Sequence, residues 1–241
     1  MAEPASPRIA QWHPSPDPAA MAAALSARMQ ILARKAIDDR GVAAIGLAGG
    51  STPMAAYADF AVSGMPWQKV KLALIDERHV PLSDSQSNEA NIATAFAGVK
   101  NRLKAWQGLY RDADGIAACA EAADEALQAF GLPFDATVVG MGGDGHIASL
   151  FAESPDYAAA MDPHTAQTVV PIRFPADAGI TERLSMSLPA LLKTRQVLIC
   201  ISGDEKRDVL RRCLDGSAPH YAAARFLAAY QGPVDIYWSP A

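Results

Sequence analysis

Apolar residues recur along this chain in two alternating rhythms, helical spacings and short continuous runs. Between Pro18 and Asp39, Leu25, Met29, Leu32, Ala36 and Ile37 fall at helical spacing, which predicts a helix stopped by Gly41. The apolar run Val42–Ala48 then predicts a strand. Thr52–Ala61 predicts a second helix, with Ser51 or Thr52 as its cap and Pro53 in its first turn. The alternation continues with a strand at Val70–Ile75, a helix at Glu89–Phe96, and an Ala-rich helix at Ile116–Phe130 followed by Gly131-Leu132-Pro133. Ala136–Val139 is brief and β-branched, and reads as a buried strand. Thr168–Ile172 and Leu184–Ser187 carry weaker strand patterns. Val197–Ile201 predicts a strand, Glu205–Cys213 and Tyr221–Tyr230 helices, and Val234–Trp238 a last strand. Strands alternating with helices predict an α/β fold, a mostly parallel sheet with helices on both faces. Residues 1–17 are rich in Pro, Ser and Ala and read as a flexible tail, with residues 18–241 as a single domain.

Composition narrows the function. Of 241 residues half are hydrophobic and a fifth charged, ample material for a core. The net charge of -5 argues against a nucleic-acid partner. It also gives an anionic substrate no global steering, so attraction must come from local backbone N–H groups and placed cations. No apolar run approaches the length of a membrane span, and the N-terminus lacks the apolar core of a signal peptide. Cys119, Cys200 and Cys213 form no CxxC pair, which suits buried free thiols in a reducing cytosol. The expectation is a cytoplasmic protein.

In an open parallel sheet, ligands bind beyond the carboxyl ends of the strands. Val42–Ala48 is followed by Gly49-Gly50-Ser51-Thr52-Pro53, and Val70–Ile75 by Asp76-Glu77-Arg78-His79. Ala136–Val139 leads into Gly140-Met141-Gly142-Gly143-Asp144-Gly145-His146, and Val197–Ile201 into Ser202-Gly203-Asp204-Glu205-Lys206. Gly49 and Gly50 allow close backbone approach, Ser51 and Thr52 add hydroxyls, and a helix starts at once, a combination suited to phosphate. Gly140-x-Gly142-x-x-Gly145 fits a dinucleotide fingerprint literally. Asp144 beside a pyrophosphate, the mid-chain position and the lack of an acidic residue after a next strand all count against nicotinamide. His146 is the candidate general base, with Asp144 to orient its ring or hold a substrate hydroxyl. Arg78, Arg183 and Lys206 are candidate cations for an anion or an oxyanion. His79 sits among charges and reads as ion-paired, and His13, His164 and His220 as solvated. The histidines show no metal-ligand spacing, so no zinc site is expected.

Three segments together, GLAGGSTPMAAY at residues 46–57, DERHV at 76–80 with Ser87-Asn88, and VGMGGDGHIASLF at 139–151, resemble the 6-phosphogluconolactonases. Arg183-Leu184-Ser185 and GDEK at 203–206 add to the likeness, which runs from about residue 20 to the C-terminus. The resemblance implies a Rossmann-like fold and hydrolysis of 6-phospho-D-glucono-1,5-lactone in the oxidative pentose phosphate pathway, without an obligatory metal or cofactor. It implies His146 as base, Arg78 as substrate or oxyanion partner, and Gly49, Gly50, Ser51 and Thr52 with Arg183 and Lys206 as the phosphate site. Asp144 and Asp76 complete the expected site. The expected partner is a small sugar-phosphate lactone, with no nucleic acid and no membrane, in a monomer or small homo-oligomer. The chain has Ile147 where lactonases often have Thr, and Ala152-Glu153 where they have Pro-Gly. Ile147 is the residue of the related glucosamine-6-phosphate deaminases. Those enzymes carry a glutamate at the position of Phe151 and Asp-Glu-Tyr where this chain has Asp76-Glu77-Arg78, and both differences favour the lactonase. A non-catalytic sugar-phosphate sensor would keep the phosphate turn and lose the base.

Overall fold

The computed structural model describes residues 10–174 and 180–241. Strand β1 (Ala10–Pro14) leads into helix α1 (Pro18–Arg40), which is capped by Asp17 accepting from the Ala20 amide at 2.8 Å. Gly41, at φ +78°, ends α1 by donating its N–H to Ile37. Then follow β2 (Ala43–Leu47), α2 (Met54–Ala61), β3 (Val70–Leu74), β4 (Asp76–Arg78), α3 (Asn88–Ala95), β5 (Ala105–Gln107) and α4 (Gly115–Phe130). The second half holds β6 (Ala136–Gly140), α5 (Tyr157–Ala160), β7 (Val169–Arg173), β8 (Glu182–Met186), α6 (Leu188–Leu191), β9 (Val197–Ser202), α7 (Asp204–Leu214), α8 (Ala222–Ala229) and β10 (Val234–Ser239).

The central sheet has seven strands in the order β1-β10-β9-β6-β2-β3-β5, and every pairing in it is parallel. All residues of β2 are buried, as are Ala136–Val139 of β6 and Val197–Ile201 of β9. Successive strand residues point to opposite faces, so both faces of the sheet are covered. Helices surround it, and their apolar stripes supply the other half of the core, with Leu25 and Met29 of α1 and Leu127 of α4 fully buried.

A second, antiparallel sheet of order β4-β8-β7 stands at the carboxyl end of β3. Only Ile75 separates β3 from β4. The register pairs Asp76 with Ser185, Glu77 with Leu184 and Arg78 with Arg183. The weak strand patterns near 168–172 and 184–187 are β7 and β8 of this sheet.

The N-terminal tail expected over residues 1–17 needs correction. Residues 10–14 form the edge strand β1, in register from Ala10 against Val234 to Pro14 against Trp238. Pro14 is tolerated because an edge strand leaves one side of its backbone unpaired. His13, expected in solvent, stacks on Tyr237 with ring centroids 4.8 Å apart and meets Asp235 at 3.2 Å. Buried Asp235 also accepts from Arg28 Nε at 2.8 Å and Gln196 Nε2 at 3.2 Å, so one carboxylate ties β1, α1 and the entry to β9 onto β10. Deleting residues 1–14 should therefore lower the thermal unfolding midpoint by roughly 4–8 °C, the scale of a loss of about 2 kcal/mol in a chain of this size. A dispensable tail would leave the midpoint unchanged in the same calorimetric scan.

Candidate active site

From β2 the chain winds to β3 and β5 on one side, and later to β6, β9 and β10 on the other. The winding direction reverses between β2 and β6, where an open parallel sheet leaves a crevice. A cavity of about 230 Å³ lies there. Gly49, Gly50, Ser51 and Thr52 line it from the loop after β2, and Asp76 and Arg78 from β4. His146 enters from the loop after β6, Arg183 from β8 and Lys206 from the first turn of α7. Asp144 is the one expected site residue that does not line the cavity; it stands behind His146.

The glycine turn is built for close approach. A Cβ on Gly49 would lie 2.1 Å from Asn88 Oδ1, so a side chain there would displace Asn88. Gly50 takes φ +87°, a conformation that favours glycine. Among the described residues, nothing accepts from the amides of Gly50, Ser51 or Thr52. These donors face a ligand's side of the fold without a protein partner. The expected cap does not form: α2 starts at Met54 behind Pro53, with no side-chain capping bond, and both hydroxyls stay free of the helix.

His146 is held on its edge and on its face. Its Nδ1 meets Asp144 Oδ1 at 2.5 Å, and its ring stacks on Phe151 with centroids 3.9 Å apart and planes 26° apart. Burial pushes the Asp144 carboxyl up, but the hydrogen bond and charge of His146 outweigh it and bring the group below its ordinary value. A charged Asp144 accepts a hydrogen bond from Nδ1–H, which leaves the Nε2 lone pair free to take a proton from elsewhere. Gly142 makes the space: a Cβ there would lie 2.3 Å from the His146 ring and 2.3 Å from Asp144 Oδ1.

The opposite wall is cationic. Arg78 Nη1 donates to the Gln86 carbonyl at 2.5 Å, and Arg183 stands across the β4–β8 ladder from it. Neither arginine, nor Lys206, has a carboxylate ion pair among the described residues, and the buried Nε atoms of both arginines lack partners. Burial and the neighbouring Arg78 lower the Arg183 pKa, while Asp76 and Asp144 pull it back up. Positive groups gathered without a direct ion pair define a place for an anion. Asp76 is buried on the same cavity wall, and its Oδ2 accepts from Ser149 Oγ at 2.8 Å. His79, expected among charges, has Nδ1 at 2.8 Å from Glu182 Oε2.

Sequence reasoning left three contributors without a role. Asn88 lines the cavity and donates to the Asp76 carbonyl at 3.2 Å. Cys200 also lines it, but burial pushes the thiol up to about 12, far from a nucleophile's range. The third is Glu77, buried beneath the site. Its Oε1 accepts from the amides of Arg78 and Asn88, both at 2.7 Å, and its Oε2 from Glu89 N at 2.6 Å and Ser87 Oγ at 3.1 Å. Burial pushes this carboxyl up to about 7; the three amides pull the other way without cancelling it, and the charge of Asp76 adds to the rise. The signal for it was Ser87 ahead of a helix start. Among the described residues, no cluster of three His, Cys, Asp or Glu side chains suits a metal ion.

A switch-point cavity with an open imidazole nitrogen facing unpaired cations defines an α/β enzyme for a small anionic substrate. The chain belongs to the glucosamine-6-phosphate isomerase/6-phosphogluconolactonase family, which matches residues 16–238. It is 32% identical over 232 residues to a 6-phosphogluconolactonase of Mesorhizobium japonicum, covering 95% of each chain. It is 33% identical over 235 residues to a 6-phosphogluconolactonase of Pseudomonas putida, covering 97% of this chain and 95% of the other. The crystal structure of a 6-phosphogluconolactonase from Shewanella baltica superposes with a TM-score of 0.87 at 29% identity, over 97% of this chain and 99% of that one. These relatives share the Rossmann-like α/β architecture of this chain.

The Glu77 cluster yields a test of how the cationic wall is held. Glu77→Gln replaces one acceptor oxygen by an NH₂ that faces donors. The thermal midpoint should fall by roughly 4–8 °C, from orphaned buried amides that cost about 2 kcal/mol. An unchanged midpoint in a folded variant would show that the carboxylate does not clamp β4 to α3.

Proposed function

We propose that this chain hydrolyses 6-phospho-D-glucono-1,5-lactone to 6-phospho-D-gluconate, the lactonase step of the oxidative pentose phosphate pathway. The observation that carries the reading is the His146–Asp144 pair at 2.5 Å opening on a cavity lined by Arg78, Arg183 and Lys206. The substrate phosphate binds the free amides of the Gly49–Thr52 turn together with Arg183 and Lys206, and this fixes the ring. A sugar hydroxyl donates to Asp76. His146 Nε2 takes a proton from a water, whose oxygen adds to the lactone carbonyl carbon. The resulting oxyanion is stabilised by Arg78 or by backbone N–H groups of the loop after β6. Asp144 stabilises the imidazolium. His146 then returns the proton to the ring oxygen as the carbon–oxygen bond of the ester breaks, leaving the free acid.

The deaminase alternative needs a second proton-transfer group beside the histidine. Phe151 stacks on His146 where that glutamate would stand, and a phenyl ring transfers no proton. A non-catalytic sensor has no use for a histidine held in one tautomer by a carboxylate. No helix among the described residues is long and apolar enough to cross a membrane. The proposal places the enzyme in the cytoplasm, as a monomer or small homo-oligomer, with neither nucleic acid nor membrane as partner.

His146→Ala should lower kcat about a hundredfold to ten-thousandfold, the span of a general base; a folded variant with wild-type turnover would refute the mechanism. Chelator-treated protein should keep full activity, whereas loss with EDTA and recovery with zinc would reveal a catalytic metal. Arg183→Ala and Lys206→Ala should each raise KM, with losses of about 1.5–3 kcal/mol, the scale of a hydrogen bond between charged groups. Hydrolysis of unphosphorylated gluconolactone should barely change in either variant. Equal damage to both substrates would remove these residues from the phosphate site.

A further inference from the structure

The base and one of the cations rest on the same aromatic ring. Phe151 carries the His146 imidazole on it at 3.9 Å, and the Arg183 guanidinium lies 5.1 Å from its centroid. Phe174 packs edge-on against Phe151 at 4.8 Å and lies 5.5 Å from the same guanidinium. The ring is firmly placed. Ile147 and Leu150, just ahead of it, are buried and bridged to each other, with the Leu150 amide donating to Ile147 at 2.9 Å. Between them Ala148 takes φ +48°, a left-handed conformation rare outside glycine. Ser149 is fixed through its amide to Ser185 Oγ at 3.2 Å and through its hydroxyl to Asp76 at 2.8 Å. Such rigidity around one residue is more than packing of a surface loop requires.

We propose that Phe151 is a positioning residue that seats the general base and the Arg183 cation together, a role that rests on the lactonase reading above. Asp144 holds only the edge of the imidazole, and the phenyl face fixes its plane. When His146 takes up a proton, its cationic ring lies against the negative face of Phe151, which favours the state that forms during water attack. Arg183 has no carboxylate partner among the described residues, so the two phenyl rings are what hold its guanidinium toward the cavity.

Phe151→Leu should lower kcat about tenfold and raise KM for the phosphorylated lactone about threefold, the scale of one ring–cation contact at each group. Phe151→Tyr, which keeps the ring, should recover most of both losses. In an Arg183→Ala background, Phe151→Leu should still lower kcat but no longer raise KM. The His146 ring protons should also lose the upfield NMR displacement that a stacked phenyl imposes. Should Phe151→Leu fail to fold, Phe151→Met, whose flexible side chain can fill the gap without an aromatic face, serves in its place. A folded Leu or Met variant with unchanged kcat and KM, or a Tyr variant as impaired as Leu, would overturn the proposal. Absence of lactone turnover in the wild-type protein would instead refute the functional reading, and the His146 resonances would still report whether Phe151 seats the ring.

Discussion

Parallel strands can be joined only by crossovers, and a sheet wound from its middle must reverse direction once. Here the reversal falls between β2 and β6. Two loops that lie almost a hundred residues apart in sequence, about 48–53 and 140–146, are thereby forced to open on one crevice. The glycine turn and the imidazole meet for that reason. Neither loop has to be held by the other; each is fixed by the buried strand behind it.

The second sheet solves a different problem. A cavity at strand ends is open on one side, and β4 with β8 closes it with charge. Period-two alternation places Asp76 and Arg78 on one side of β4 and sends Glu77 to the other. There Glu77 meets the first amides of α3, where a carboxylate is favoured by unsatisfied N–H groups. One charged triplet thus contributes a carboxylate and a cation to the cavity lining and an anchor for the adjacent helix. The antiparallel register then brings Arg183 opposite Arg78. Two like charges are kept close by backbone ladders rather than by their own preference.

The elements that announced themselves were those whose burial is complete on both faces. Val42–Ala48 and Val197–Ile201 are apolar without interruption, and Val70–Ile75 is broken only by the partly buried Lys71, because helices cover these strands on either side. β1 was hidden because Gln11 and His13 are polar, and its partners, Tyr237 and Asp235, lie at the far end of the chain. β4 was hidden inside three consecutive charged residues, and β5 is only three residues long. The expected Ser51 or Thr52 cap failed because the turn carries on to Pro53 before helical geometry begins. Site residues were legible as residue types following strands: His146, Arg78, Asp76 and the glycine turn all line one cavity. What spacing could not convey was how each is held, since the Phe151 stack and the Glu77 clamp depend on ring planes and amide directions fixed only by tertiary packing.

The charge on Asp144 has a consequence for what happens after chemistry. A lactone brings a neutral carbonyl to His146, and its hydrolysis leaves an acid that ionises at the same carbon. The product then bears a new carboxylate next to a histidine backed by an anion, inside a protein whose net charge is -5. On the lactonase reading, the Asp144 charge that orients the imidazole also acts on the product carboxylate, against the pull of the cations Arg78, Arg183 and Lys206 that line the same cavity.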